Sequence, residues 1–179
     1  PYTDTVSVPT GQTRQVCNLT GQGSIASVNI TLNPFTKDTF YNTYIRIYWD
    51  GSATPAIDLP LGYFFGGGGE DYSSSNTVWQ KPLTTLFFGF SHITDTFYSY
   101  WPMPYWTQAR IEIYNGSYTY ISSLQCDVQY KPSAVIDYPK AETGYFYAKR
   151  TEDYDSGDEL YVTSFEEQGK GQVVGLSFY

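Results

Sequence analysis

The sequence predicts an all-β fold, a single jelly-roll-like sandwich of two sheets, and three observations predict it. Apolar residues recur at every second position in segment after segment, which is the period of a strand and not of a helix. Aromatic residues make up 19 % of the 179-residue chain, with 19 Tyr and 11 Phe, while charged residues reach 16 %. Strands favour such aromatics, whereas long helices need the Ala, Leu, Glu and Lys that are scarce here. Sixteen Gly and 10 Pro punctuate the chain, as the turns of a strand-rich domain require. Residues 1–179 read as one domain with no internal repeat and no linker, long enough to bury a sizeable core.

Taken in order, a first strand is expected over residues 3–8. In 26–32 the apolar positions Ala26, Val28, Ile30 and Leu32 share a face, and Asn33-Pro34 stops the strand. Over 43–49, Ile45, Ile47 and Trp49 face away from Tyr44, Arg46 and Tyr48. Leu86, Phe88 and Phe90 repeat the pattern, as do Ala109, Ile111 and Ile113 with Arg110 and Glu112 turned outward. Asn115-Gly116 reads as a tight hairpin turn leading into the inward row Leu124, Cys126, Val128 and Tyr130. Further strands are expected at 145–149, 160–165 and 172–178, for about nine or ten in all. That number of strands suits a two-sheet sandwich.

Charge narrows the function classes. A net charge of −8 speaks against a nucleic-acid partner, since phosphate binding needs a basic surface. Seven of the 18 acidic residues fall between Glu152 and Glu167, which reads as a solvated acidic hairpin. No apolar run is long enough to span a membrane as a helix. No charged-then-apolar leader opens the chain, which leaves a signal peptide already removed, or a fragment, as the two expectations.

Candidate chemistry is sparse. The single histidine, His92, lies in no nucleophile-elbow context, so a Ser-His-Asp triad is not expected. Gly66-Gly67-Gly68-Gly69 lacks the Gly-Lys-Ser/Thr ending of a phosphate loop and reads as a plain loop. Asp153, Asp155, Asp158 and Glu159 miss the spacing of a twelve-residue calcium loop and read as a hairpin tip. No cofactor or metal is expected. Exposed Trp79, Trp101 or Trp106 would offer stacking platforms for sugars, as in a carbohydrate-binding module; filling the core is the alternative.

Two covalent features point outside the cell. Cys17 and Cys126 allow one pairing, closing a loop of roughly 110 residues worth ~4–5 kcal/mol in the chain-entropy model; two buried thiols are the other reading. The triplets Asn18-Leu19-Thr20, Asn29-Ile30-Thr31 and Asn115-Gly116-Ser117 are N-glycosylation sequons. Alternation places Asn29 on the outward face of its strand, and the turn places Asn115 at a hairpin tip.

Four segments carry a family resemblance. They are Ile45-Arg46-Ile47-Tyr48-Trp49-Asp50-Gly51, Pro55-Ala56-Ile57-Asp58-Leu59-Pro60-Leu61-Gly62-Tyr63-Phe64-Phe65-Gly66, Tyr100-Trp101-Pro102-Met103-Pro104-Tyr105-Trp106 with Ala109-Arg110-Ile111, and Gly169-Lys170-Gly171-Gln172-Val173-Val174-Gly175. Together they resemble domain-of-unknown-function family 2961, which includes glycoside hydrolase family 172, enzymes acting on fructofuranosides and arabinofuranosides. The resemblance implies two consecutive jelly rolls arranged as in a viral capsid subunit, assembled as trimers or larger rings, with this chain corresponding to the first. It implies catalytic glutamates in Glu-Gly-Asp and Gly-Thr-Glu-Asp-Tyr contexts beyond that first jelly roll; Thr151-Glu152-Asp153-Tyr154 matches the second context only by chance. Tyr63 stands where the family has an acidic residue, and Tyr147 where it has a histidine.

The expected function is a secreted, N-glycosylated structural subunit. It would self-assemble into a filament or shell through strand pairing with copies of itself. A fragment of a furanoside hydrolase is the second expectation, and a carbohydrate-binding module the third.

Overall fold

A computed structural model describes residues 1–67, 84–91, 93–132, 139–150 and 170–175. It is an all-β sandwich of two antiparallel sheets. Ten strands are described: β1 (Tyr2–Val8), β2 (Thr13–Thr20), β3 (Gly23–Asn33), β4 (Thr43–Trp49), β5 (Ile57–Pro60), β6 (Phe88–Ser91), β7 (Thr96–Ser99), β8 (Met103–Tyr105), β9 (Gln108–Asn115) and β10 (Ile121–Pro132). The larger sheet runs β1-β10-β3-β7-β6, with β8 also pairing β3, and the smaller runs β2-β9-β4-β5. Two short helices, α1 (Lys37–Asn42) and α2 (Leu61–Phe64), close one end.

The core lies between the sheets. From the smaller sheet Ile45, Ile47, Ala109, Ile111 and Ile113 point inward, and they meet Val28, Ile30, Leu124 and Val128 of the larger, all fully buried. At the helical end the core turns aromatic: Phe35 stacks on Phe90 at 4.9 Å, and Phe97 contacts Phe40, Phe65 and Phe90. Gly62 and Gly67 lie against the Phe40 ring with no room for a Cβ. The glycine run therefore begins as a packing device and not as a phosphate cradle.

Strand β4 occupies the expected residues, and β3 stops at Asn33 as Asn33-Pro34 requires. Several expectations need correction. Ala26 is exposed and Ile25 buried, because β3 pairs Ile25 with Tyr130 and Ser27 with Gln129, leaving Ala26 as an extra residue. A bulge of this kind shifts the inward row by one position. Leu86 is 80 % exposed, since its strand starts only at Phe88.

Asn115-Gly116 is not a hairpin turn. Strands β9 and β10 belong to different sheets, so residues 116–120 cross from one layer to the other. Asp38 of α1 guides this crossover by accepting from the Tyr118 N–H at 2.9 Å and the Thr119 hydroxyl at 3.0 Å. Helix α1, which the strand pattern does not anticipate, starts at a capping box of Thr36 and Thr39, with Thr where such boxes usually carry Glu. Residues 145–149 form no strand; Ala148 makes an isolated parallel bridge to Ile57 of the smaller sheet. Residues 172–175 are irregular; the expected strand at 160–165 and the end of 172–178 lie outside the described residues.

Candidate functional site

Residues 139–150 form a strap across the open edge of the smaller sheet. Each anchor has a physical cause. The Tyr145 hydroxyl donates to Asp50 Oδ2 at 2.6 Å, and the Trp49 indole N–H donates to the Phe146 carbonyl at 2.8 Å. The Phe146 ring lies 6.3 Å from Trp101, near-parallel to it. Beyond the Ala148 bridge, the Arg150 guanidinium sits over the Tyr63 ring at 3.8 Å.

Asp50 is the hub of these anchors. It stands in a turn at φ 52°, and its Oδ1 accepts from the backbone N–H groups of Trp106 at 2.8 Å, Thr107 at 2.7 Å and Gln108 at 3.2 Å. Lys140 approaches Oδ2 at 3.7 Å. Burial pushes the carboxyl up, but hydrogen bonds from Tyr145 and the three backbone groups outweigh it and hold Asp50 at about 2. Burial and the Asp50 charge push Tyr145 the other way, to about 12.

A lowered carboxyl stabilises the fold above its unfolded pKa and stops doing so as pH falls through the folded one. The strap's attachment should therefore be constant above about pH 4 and lose roughly 2 kcal/mol between pH 4 and pH 2. Guanidinium midpoints compared between the parent and Asp50→Asn check this: the gap between them is expected to narrow only in that acidic window.

Between the strap and β5 lies a cleft of about 430 Å³. Its wall includes Tyr44, Asp58, Pro60, Tyr147, Lys149 and Arg150. Asp58 is the one carboxylate among the described residues that line it, and it is paired with Arg46 at 3.0 Å. Aromatic edges and cationic donors suit a polyhydroxylated or anionic ligand. Glycoside hydrolysis by the usual route needs a second carboxylate facing the first. Tyr147 stands in its wall, and Tyr63 lies beneath Arg150 next to it.

The other expected site residues are scattered. Asn18 is exposed on β2, its Oδ1 accepting from Gln108 Nε2 at 2.8 Å. Asn29 is half-buried on β3. Asn115 corrects the expectation of a glycan-bearing hairpin tip, for it is fully buried. Its Nδ2 donates to the carbonyls of Val8 at 2.8 Å and Thr119 at 2.9 Å, and its Oδ1 accepts from the Ser117 N–H and hydroxyl. Both amide hydrogens are used and no space remains for a sugar.

Cys17 and Cys126 also depart from the expected bond. Both are free thiols at full burial. Burial pushes Cys17 up to about 12 and Cys126 higher, with Cys17 adding to the shift at Cys126. Held protonated, neither thiol is in the nucleophilic form that disulfide exchange uses.

Trp101 stacks on Phe87 at 4.7 Å, and Trp106 meets Tyr145 edge-on at 4.9 Å, so both indoles are engaged by the protein's own rings. Trp79, His92 and the acidic group Asp153, Asp155, Asp158 and Glu159 lie outside the described residues. Among the described residues no three His, Cys, Asp or Glu are placed to hold a metal ion, and no helix is long and apolar enough to cross a membrane.

The family model described as GH172 domain-like matches residues 2–127. No curated protein matches the chain.

Proposed function

The chain belongs to the GH172 domain-like family, and from that premise we propose that it is a secreted, N-glycosylated structural subunit. It assembles with copies of itself into a filament or shell by strand pairing. The observation that carries this reading is the open edge of β1. That strand runs seven residues without Lys, Arg or Pro, and β10 pairs it on one side only. The Thr5 N–H donates to the side chain of Asp4 at 2.8 Å. An unguarded edge of this kind is a template for a further strand.

The other edges are better guarded. In β2 the ladder is broken at Val16 between Gln15 and Cys17, and Arg14 is nearby. Strand β5 meets the strap at Ala148, and β6 folds back on Thr84. A head-to-tail strand contact closes into a ring only if the rotation permits, and otherwise grows into a fibre. Electron microscopy and sedimentation of the purified chain at micromolar concentration test this: fibres or closed rings are expected, and a monodisperse monomer sinks it.

A second reading follows from the family: a unit of a hydrolase acting on furanosides, with the cleft as part of its sugar site. Turnover of a fructofuranoside or arabinofuranoside by the purified chain would favour that reading over the first.

A further inference from the structure

We propose that the outer face of the larger sheet is a saccharide platform, occupied by an N-linked glycan carried on Asn29. The proposal rests on the reading of the chain as a secreted glycoprotein, and it says which sequon is used and what holds the sugar.

The three sequons differ sharply in chemistry. Asn115 has spent both amide hydrogens inside the core. Asn18 is accessible on the smaller sheet, with only the oxygen of its carboxamide accepting from Gln108. Asn29 stands in the middle of the sheet, between Asp127 of β10 and Tyr98 of β7. Its carboxamide neither bonds a described residue nor counts among the buried atoms without a partner. The amide therefore reaches solvent.

Around it the sheet lines up sugar-like partners in register. One row reads Thr3, Asp127, Asn29 and ends at Tyr98, which is buried with its hydroxyl donating to the Thr85 carbonyl at 2.6 Å. The next reads Thr5, Gln125, Thr31, and continues to Thr96, whose hydroxyl is 3.1 Å from that of Thr31. At the usual strand spacing four strands span roughly 14 Å, the reach of a short oligosaccharide. Asp127 is already oriented, accepting from Thr3 Oγ1 and Gln125 Nε2. At the β7 end Tyr98 stacks on Tyr100 at 5.1 Å, and Tyr100 is 48 % exposed, an aromatic stop for the row.

The two outer faces of the sandwich contrast. The smaller sheet's is filled by ion pairs and by arginines over tyrosines, Arg46 with Asp58 and Tyr114, Arg110 with Glu112 and Tyr48. The larger sheet's rows carry hydroxyls and amides with one carboxylate. Such groups donate to and accept from a polyol without the desolvation cost of bare charge.

The covalent step is a glycosyl transfer. A bond forms between Asn29 Nδ2 and the sugar C1, and the C1–O bond to the diphosphate of a lipid-linked oligosaccharide breaks. The diphosphate leaves with the electron pair, and the amide gives up one proton.

Glycopeptide mass spectrometry of the native chain, before and after amidase release of N-glycans, is the test. The Asn29 peptide is expected to lose its sugar and become Asp. Sugar on Asn18 alone overturns the proposal while leaving the glycoprotein reading intact; a native chain free of sugar removes both. The platform has its own readout, the rate at which exoglycosidases trim the glycan on the folded protein. In a Thr5→Ala, Gln125→Ala variant, altered only at exposed strand positions, trimming is expected to run about threefold to tenfold faster. Equal rates would mean that the glycan stands free of the sheet.

Discussion

A Thr5→Pro variant is expected to keep the fold and to lose assembly. The Thr5 N–H is engaged by the Asp4 side chain, and proline is tolerated on an edge strand where the missing donor faces outward. The same change removes one ladder donor from any incoming strand and puts a ring in its path, so association should weaken about tenfold to hundredfold. Asp4→Ala should act in the opposite direction. The Asp4 carboxylate occupies the Thr5 N–H, and an incoming strand has to displace it. Concentration series by analytical ultracentrifugation, with circular dichroism as the check on folding, compare the three proteins. Assembly of the Thr5→Pro variant at the parent's concentration would show that β1 is not the edge in use.

Replacing Asn115 by Ala is expected to cost about 3–5 kcal/mol, among the largest effects of any polar substitution in the chain. The side chain is fully buried and serves the carbonyls of Val8 and Thr119 and the N–H of Ser117. Its loss leaves those groups unpaired where water does not reach. The melting temperature should fall by roughly 6–15 °C. Asn115→Asp should be nearly as damaging, because a carboxylate has no hydrogens for the two carbonyls. Thermal denaturation followed by circular dichroism decides it. A sequon knock-out at Asn115 would thus lower yield through instability, with no sugar involved.

Local pattern made much of this fold legible in the sequence. In 43–49 and 109–113 apolar residues alternate without interruption, and the structure places β4 and β9 there. Alternation misled at Ala26, because a bulge inserts one residue without leaving a mark in the hydrophobic pattern. Asn115-Gly116 misled for a different reason. The dipeptide suits a hairpin, but which sheet the next strand joins depends on pairings far away, β9 with β4 and β10 with β3. The cleft was the least legible feature. It exists because Tyr145 finds Asp50, 95 residues earlier, and because Trp49 finds Phe146. Nothing in Asp50-Gly51 marks the aspartate as a hub for three backbone donors and a distant phenol. The resemblance picked out Tyr63 and Tyr147 by position, and geometry alone placed Tyr147 in the cleft wall and Tyr63 beneath Arg150.

The register of β1 on β10 has a consequence for how the chain is born. Tyr2 pairs with Val128, so β1 leaves the ribosome well ahead of the strand that closes its ladder. At ordinary synthesis rates that delay is roughly 6–25 s. Until then β1 lacks its ladder partner, and when β10 arrives it can pair with its own β1 or with that of a neighbouring nascent chain. Crowding of polysomes would therefore favour arm exchange between newborn subunits, a route to linked copies that is set before folding ends.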